Sequence, residues 1–256
     1  MRIQYTLSDS FNSNPIVAVI GTWDPMVDAH RDLFRRLASE GCRRGLTPVA
    51  VFLYPSPSKL VNRNPGCGLE YTDIRARVIQ VRESFGVSPL VVRLKTSDLD
   101  SSCRSFFDLL ATEVTLRELW LGANQSLGRG PQGSDAAISA LATRRRISLR
   151  RMDPCPSSSI GGRAFRLIAE GKLKKATRCV GNPPVWGRPI SDRLRLDWPP
   201  GTYHAIALGG PTIRSPKLTD AIPLHLSTTK GAHKRTLLWP SKDIEWLAFV
   251  SGPSDQ

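Results

Sequence analysis

The stretch from residue 15 to residue 36 constrains the fold of this chain most strongly. An apolar run at 16–20 stops at Gly21, and a turn follows at 22–28. From His30 onward, apolar residues recur at the spacing of a helix, at Leu33, Phe34 and Leu37. A buried strand, a loop and a helix in this order predict the first half of a βαβ unit. Parallel sheets bind ligands at the carboxyl ends of their strands, and the helix start after this loop suits a phosphate group.

The same alternation continues through much of the chain. Apolar runs predict further strands at 48–54, 90–94, 116–121 and 147–151. Helical periodicity and stop signals predict helices at 30–41, 71–85, 101–112 and 135–143. Together these elements predict an α/β domain with a parallel sheet over residues 15–181. Residues 1–14 are polar and predict a flexible arm, whereas short β-like runs at 203–208, 236–239 and 246–250 predict a short β-rich appendage over 182–256.

The chain carries a formal net charge of +14, from 36 basic and 22 acidic residues. This balance favours anionic partners such as nucleotides, nucleic acid or acidic surfaces. A dense arginine cluster lies at 144–146 and 150–151, but no aromatic residues are interleaved with it. A platform that stacks single-stranded bases is therefore not predicted there, and a solvated helix end beside a strand is the simpler interpretation.

The sequence argues against membrane, secreted and zinc-binding classes. No apolar run approaches the roughly 20 residues needed to span a bilayer, and the N-terminus has no apolar centre typical of a secretory signal. We therefore expect a cytoplasmic protein without a membrane partner. Its five cysteines are scattered with no C-x-x-C pair, so we expect reduced thiols, and its four histidines are scattered too, so no zinc site is predicted.

The loop after the first strand reads Gly-Thr-Trp-Asp-Pro-Met-Val-Asp-Ala-His over residues 21–30. It resembles the corresponding loop of bacterial FAD synthetases, the adenylyltransferase modules of bifunctional riboflavin kinases. These proteins carry a G-x-F-D-G-x-H-x-G-H loop at this place. Four positions of the present chain match it: Gly21, the aromatic Trp23, Asp24 and His30. Three positions differ, because Val27 replaces the first histidine and Pro25 and Ala29 replace two glycines.

Two later segments resemble the same family in the same order. The family has a strand that ends T-F-D-P-H-P, and here Ser56 stands at the histidine position between two prolines. A G-x-D-F-x-F-G loop with a later glycine is matched in spacing by Gly122, Gly128 and Gly133, with Asn124 at the aspartate position. Glycines allow a backbone to approach a ligand closely, although a plain surface loop is the alternative.

A third segment is similar to the nucleotidyltransferase signature I-S-S-T-x-I-R, which a helix and an E-G turn follow. The matching residues are Ser157, Ser158 and Ser159, and then the segment A-E-G-K-L-K-K-A at 169–176. One extra turn lies between them, so Arg163 is the first counterpart of the signature arginine and Arg166 the second. Residues 182–256 resemble a shortened riboflavin-kinase β region that lacks its P-T-A-N motif.

The resemblance implies a Rossmann-like nucleotidyltransferase domain of the HUP type that moves AMP from ATP to FMN, giving FAD and pyrophosphate. It implies that His30 acts near the α-phosphate and that Arg163, with Arg129 or Lys172, acts near the leaving group. It implies nucleotide contacts at Gly21, Thr22, Trp23, Asp24, Ser157, Ser158 and Ser159. It implies flavin contacts at Ser56, Gly122, Asn124, Gly128 and Arg129. Mg²⁺ would be bridged by the substrate phosphates, without protein metal ligands.

Several alternatives remain open at this level. Val27 and Ser56 favour a non-catalytic descendant that binds nucleotide or flavin, and a transferase with another acceptor fits the same motifs. The charge of +14 permits a basic nucleic-acid-binding protein, whose binding would fall steeply with salt. His30 has a purely local alternative, as a residue that caps the start of its helix. The sequence predicts no oligomeric state.

Overall fold

A computed structural model describes residues 2–6, 14–61, 70–123, 125–128, 130–153, 157–187, 193–196, 201–208, 222–228, 235–238 and 246–255. The chain divides into two compact units. Unit 1 comprises Met1–Thr22, Arg31–Arg63 and Val81–Cys155, and unit 2 comprises Trp23–His30, Asn64–Gln80 and Pro156–Gln256. None of the helices in these described ranges is both long and apolar enough to cross a bilayer.

Unit 1 is built on one sheet, whose described strands are β1 (Arg2–Thr6), β2 (Ile16–Gly21), β3 (Thr47–Tyr54), β4 (Ser88–Arg93), β5 (Leu116–Leu121) and β6 (Ser148–Arg151). Their order is β1-β4-β3-β2-β5-β6. Strands β2 to β6 are parallel, and β1 pairs antiparallel with β4. The predicted α/β fold with a parallel sheet is therefore confirmed.

Helices alternate with these strands, as the periodicity predicts. They are α1 (Asp28–Arg44), α2 (Pro57–Val61), α3 (Ile74–Phe85), α4 (Cys103–Glu113) and α5 (Asp135–Arg144), with short 3₁₀ turns at Thr96–Asp100 and Gly130–Gly133. Helices α1 and α3 each contribute residues to both units.

Burial on both faces explains why the central strands read as continuous apolar runs. Every residue from Ile16 to Ile20 is at most 3% exposed, and Val49 to Phe52 are fully buried. On one face, α4 and α5 cover the strands with apolar side chains, among them Phe106, Phe107, Leu110 and Ile138. A fully buried side chain of this size contributes roughly 1.5–3 kcal/mol, so this layer fixes the sheet that positions the loops.

The N-terminal segment differs from the sequence expectation. Residues 2–6, predicted as part of a flexible arm, form β1 against the edge of β4, with Arg2 opposite Arg93 and Thr6 opposite Leu90. The free backbone edge of β4 offers hydrogen bonds, and a segment that includes Ile3, Tyr5 and Thr6 has β-favouring residues to take them. The prediction of a flexible arm, which rested on polar composition, is therefore wrong for residues 2–6. The remainder of the predicted arm up to residue 13 lies outside the described residues.

Unit 2 combines helices α6 (Ser157–Ala169) and α7 (Leu173–Val180) with an antiparallel sheet. Its described strands are β7 (Val185–Gly187), β8 (Arg193–Leu196), β9 (Gly201–Leu208), β10 (Ile222–Thr228), β11 (Arg235–Leu238) and β12 (Trp246–Ser251), in the order β7-β12-β9-β10-β11-β8. The three β-like runs of the sequence correspond to β9, β11 and β12. The limits of the predicted domains, including the boundary at 181 and 182, stay predictions.

Candidate functional site

Three predicted site segments of unit 1 meet at one edge of the parallel sheet. Strand β2 lies between β3 and β5. From β2 the successive strands β3 and β4 are added on one side of the sheet, and β5 and β6 are then added on the other side. In such sheets the crevice beside this reversal, at the carboxyl ends of the strands, is the usual ligand position. Gly21 ends β2, Ser56 follows the end of β3, and Gly122 follows the end of β5. The structure therefore brings these residues to the same edge, together with Thr22.

The loop that begins unit 2 is closed by a reciprocal pair of hydrogen bonds. The backbone N–H of His30 donates to the carbonyl of Val27 at 2.9 Å. The backbone N–H of Val27 donates to Nδ1 of His30 at 3.4 Å. The second bond is the half of a capping box in which the side chain at the third helical position accepts from the N-cap N–H, with an imidazole in place of the usual carboxylate or amide. Because Nδ1 accepts this bond, the neutral imidazole carries its proton on Nε2.

Val27, which stands where the family has its first loop histidine, is a core residue. It is 2% exposed and belongs to an apolar cluster of unit 2 that includes Tyr71, Ala164 and Ile168. Its side chain therefore packs inward. This position cannot supply a polar contact to a phosphate.

The same packing joins the loop to α6. Ala164 and Ile168 of α6 share the cluster with Val27, and Ile160 and Ala29 pack against its edge. A Cβ placed on Gly161 would lie 3.6 Å from Cδ of Pro25. The predicted histidine loop and the helix that carries the predicted serines and arginine are thus neighbours in unit 2.

Asp24 binds backbone groups of a distant segment. One carboxylate oxygen accepts a hydrogen bond from the N–H of Tyr71 at 2.9 Å, and the other accepts from the N–H of Thr72 at 3.0 Å. Burial raises the pKa of Asp24 to about 6, against the opposing effects of the Arg77 charge and the two N–H groups. The charge of Glu70 acts in the same direction as burial. Strongly perturbed carboxyl groups occur often at functional sites.

Tyr71 connects this contact to the rest of unit 2. Its hydroxyl donates to the carbonyl of Asn182 at 2.6 Å, and its own carbonyl accepts from Nε1 of Trp186 at 3.2 Å. The side chain is 1% exposed, and burial raises the pKa of its hydroxyl. Sequence reasoning did not identify Tyr71 or Thr72, because a backbone N–H that meets a carboxylate leaves no signature in residue type.

Trp23 occupies a strained part of the loop. Its φ is 43°, in the left-handed region that bulky residues rarely adopt, and its side chain is 5% exposed. Such a residue costs of order 1–3 kcal/mol and persists only where its surroundings fix it. The indole is therefore held in place by the residues that bury it.

The serines and arginines of the third motif lie on or beside α6. Ser157, Ser158 and Ser159 form the first turn of this helix, and Arg163 lies in its middle with an exposed side chain. Arg166 is also exposed and three residues further along, so both arginines lie on one helical face. Lys172 pairs with Glu170 at 2.7 Å. Asn124 and Arg129 lie outside the described residues.

Two glycines of the 122–133 loop, Gly128 and Gly133, pack against other backbone. Gly128 has a φ of 102°, and a Cβ there would lie 2.9 Å from the backbone of Ser101 and of Cys103. A Cβ on Gly133 would lie 2.2 Å from the carbonyl oxygen of Gly128. No side chain fits at these distances, so their spacing is explained by the folding of the loop itself.

Arg151 is a residue of this site that sequence reasoning missed. It ends β6, beside the end of β5, and its guanidinium donates to the carbonyls of Gly122 and Gln125 at 2.9 and 2.6 Å. It also pairs with Asp135 at the start of α5. The sequence grouped Arg151 with a solvated cluster, although its place at a strand end beside the glycine loop was a usable signal.

Metal ligands are not gathered in this part of the molecule. Within the ranges that the structure describes, no group of three or more His, Cys, Asp or Glu side chains could hold a metal ion.

Comparisons with known proteins agree with this architecture. The family model described as FAD synthetase matches residues 9–160. Among solved structures, the chain is similar to one titled macrolide-efflux protein from Streptococcus pneumoniae, with a TM-score of 0.61 and 17% identity over 95% of this chain and 87% of that one. At this identity the likeness shows the fold alone. No curated protein matches the chain significantly.

Proposed function

The chain belongs to the FAD synthetase family, and from this membership we propose that it transfers AMP from ATP to FMN, giving FAD and pyrophosphate. In this reaction a phosphate oxygen of FMN attacks the α-phosphorus of ATP. The bond from that phosphorus to the bridging oxygen breaks, and pyrophosphate leaves. The protein has to hold two anions in line and stabilise the developing charge, which requires positioned donors and cations.

The observation that carries the proposal is the packing of the histidine loop against α6. Val27 and Ala164 belong to the same buried apolar cluster, and a Cβ added to Gly161 would lie 3.6 Å from Pro25, so His30 and the helix of Arg163 belong to one compact unit. His30 would donate from Nε2 to the α-phosphate, because its Nδ1 is used in the helix cap. Arg163 would neutralise the leaving pyrophosphate, and the first-turn N–H groups of α6 suit a phosphate as well. Mg²⁺ would enter bound to ATP.

Turnover should be slow, because one donor of the family loop is missing. Loss of a single oxyanion donor typically costs about 100- to 1000-fold in rate. Val27 is 2% exposed, so no rotation of its neighbours brings a polar group to that place without disturbing the core. The same observation favours the second candidate, a protein that binds nucleotide and flavin without turnover.

Incubation with ATP, FMN and MgCl₂, followed by chromatography for FAD and pyrophosphate, tests the proposal. His30→Gln is the informative variant, because glutamine at this position of a capping box preserves the cap and removes the imidazole. We expect FAD formation to fall about 100- to 1000-fold in His30→Gln while its melting temperature stays near that of the wild type. His30→Ala, which loses both the cap and the donor, should also melt earlier.

The outcomes separate the candidates. Saturable binding of ATP and FMN without FAD formation would favour the non-catalytic alternative. FAD formation by His30→Gln at the wild-type rate would remove His30 from the reaction. Binding that is confined to nucleic acid and falls steeply with salt would reject the proposal in favour of a polyanion-binding protein.

A further inference from the structure

The guanidinium of Arg151 bridges the two ends of the loop that follows β5. At the first end, Nη1 donates to the carbonyl of Gly122 at 2.9 Å and to that of Gln125 at 2.6 Å. At the other end, Nη2 pairs with the carboxylate of Asp135, the first residue of α5. We propose that Arg151 is a positioning residue that holds this loop in the shape needed by the acceptor substrate, an inference that rests on the proposed function.

The contacts at the first end define a turn. The N–H of Gln125 donates to the carbonyl of Gly122 at 3.1 Å, and the side-chain oxygen Oε1 of Gln125 accepts from the N–H of Gly122 at 3.1 Å. Arg151 adds its two bonds to the carbonyl oxygens of the same turn. Bonds from a charged donor are stronger than neutral ones, and the planar guanidinium can serve several acceptors at once.

The contact at the other end contributes less by itself. The side chain of Asp135 is 73% exposed, whereas that of Arg151 is 25% exposed. Exposed ion pairs contribute little to stability. The carbonyl bonds of Arg151 should therefore dominate its effect on the loop, and the ion pair with Asp135 should mainly align the start of α5.

Later in the loop, Gly128 and Gly133 lie close to other backbone, so a constraint at the ends of the loop is passed to these two glycines. A Cβ on Gly133 would lie 2.2 Å from the carbonyl oxygen of Gly128, and one on Gly128 would lie 2.9 Å from the backbone near Ser101. Position 124, which the resemblance assigns to the flavin, lies in sequence between the two residues whose carbonyls Arg151 binds. Arg151 should consequently influence FMN more than ATP.

Amide hydrogen exchange of the free protein tests the positioning role without relying on activity. In Arg151→Ala, exchange across residues 121–135 should accelerate at least about tenfold, which corresponds to the loss of one charge-assisted hydrogen bond. Arg150→Ala is the matched control, because it removes the same charge from the neighbouring residue of β6. Arg150 faces the other side of the sheet, 4.8 Å above the ring of Trp120. Asp135→Asn should change the exchange of 121–128 by less than about threefold.

Kinetics then test the link to the acceptor. Arg151→Ala should raise KM for FMN about tenfold or more and leave KM for ATP near the wild-type value, with Arg151→Lys between the two proteins. Equal exchange in Arg151→Ala and Arg150→Ala would overturn the proposal. Faster exchange with an unchanged KM for FMN would also overturn it, since Arg151 would then serve folding alone. If the wild type forms no FAD, the proposed function fails. Amide hydrogen exchange then still decides whether Arg151 holds the loop, and FMN binding measured by fluorescence quenching decides whether Arg151 strengthens the binding of FMN.

Discussion

Asp24 should make the stability of the protein fall as the pH rises from about 4 to about 6. Burial raises the pKa of its carboxyl group from 3.8 to about 6. Because the folded protein holds this proton more tightly than the unfolded chain, the contribution is fully present below pH 3.8 and is lost as the pH rises through about 6. At about 1.4 kcal/mol per pKa unit, the difference corresponds to at most about 3 kcal/mol.

Asp24→Asn is the perturbation that isolates this contribution. Asparagine does not titrate, so the free energy of unfolding of the wild type minus that of the variant should fall by up to about 3 kcal/mol between about pH 4 and pH 7. Other carboxyl groups, those of Glu40, Asp98 and Glu170, have lowered pKa values and the opposite pH dependence. Their contributions are common to both proteins and cancel in the difference.

Urea unfolding at several pH values measures this difference, with the slope m as a check that the transition stays two-state. The side-chain amide of asparagine has one accepting oxygen and one donating NH₂ group. If its oxygen accepts from the N–H of Tyr71 or Thr72, its NH₂ group faces the N–H of the other residue, and these two donors repel each other. A constant offset between the proteins is therefore expected in addition to the pH-dependent part. A difference that is the same at every pH would refute the raised pKa of Asp24 and the desolvation argument behind it.

Two further substitutions test the packing of the site. Gly128→Ala should lower the free energy of unfolding by more than about 1 kcal/mol, because the new Cβ would meet backbone at 2.9 Å. Gly162→Ala should raise the free energy of unfolding by up to about 1 kcal/mol, because no atom lies within 4 Å of its Cβ. Equal melting temperatures for these two variants would contradict the loop geometry. Val27→His, which introduces the residue of the family, should destabilise the protein by about 1–3 kcal/mol and leave FAD formation no faster. A more active Val27→His variant of unchanged stability would show that this side chain does not face the core.

The sequence predicted the main sheet well, because its central strands are covered on both faces. Residues buried in this way must be apolar without interruption, and β2, β3 and β5 each lie within a residue or so of the predicted ranges. The edge strand β1 was missed for the opposite reason. A strand with one free edge needs no apolar run, and its pairing with β4 depends on backbone groups that every residue carries.

The glycines of the predicted flavin loop also illustrate what a sequence can reveal. Glycines at 128 and 133 are visible in a sequence because backbone crowding at both positions excludes a side chain, whereas Gly122 has room for one. For Arg151 the sequence offered only its place at the end of a predicted strand, since its choice of the carbonyls of Gly122 and Gln125 follows from the pairing of β6 with β5.

The sequence by itself therefore determined the alternation of strands and helices, the family and the loops in which ligand contacts were to be sought. Only the tertiary structure decided that Val27 faces the core, that His30 caps its own helix and that Asp24 binds the segment at Tyr71. The contacts of Tyr71 with Asp24 and Trp186 span 47 and 115 residues. They join side chains to backbone groups, which are the same in every residue, so no pattern along the chain could indicate which residues would meet.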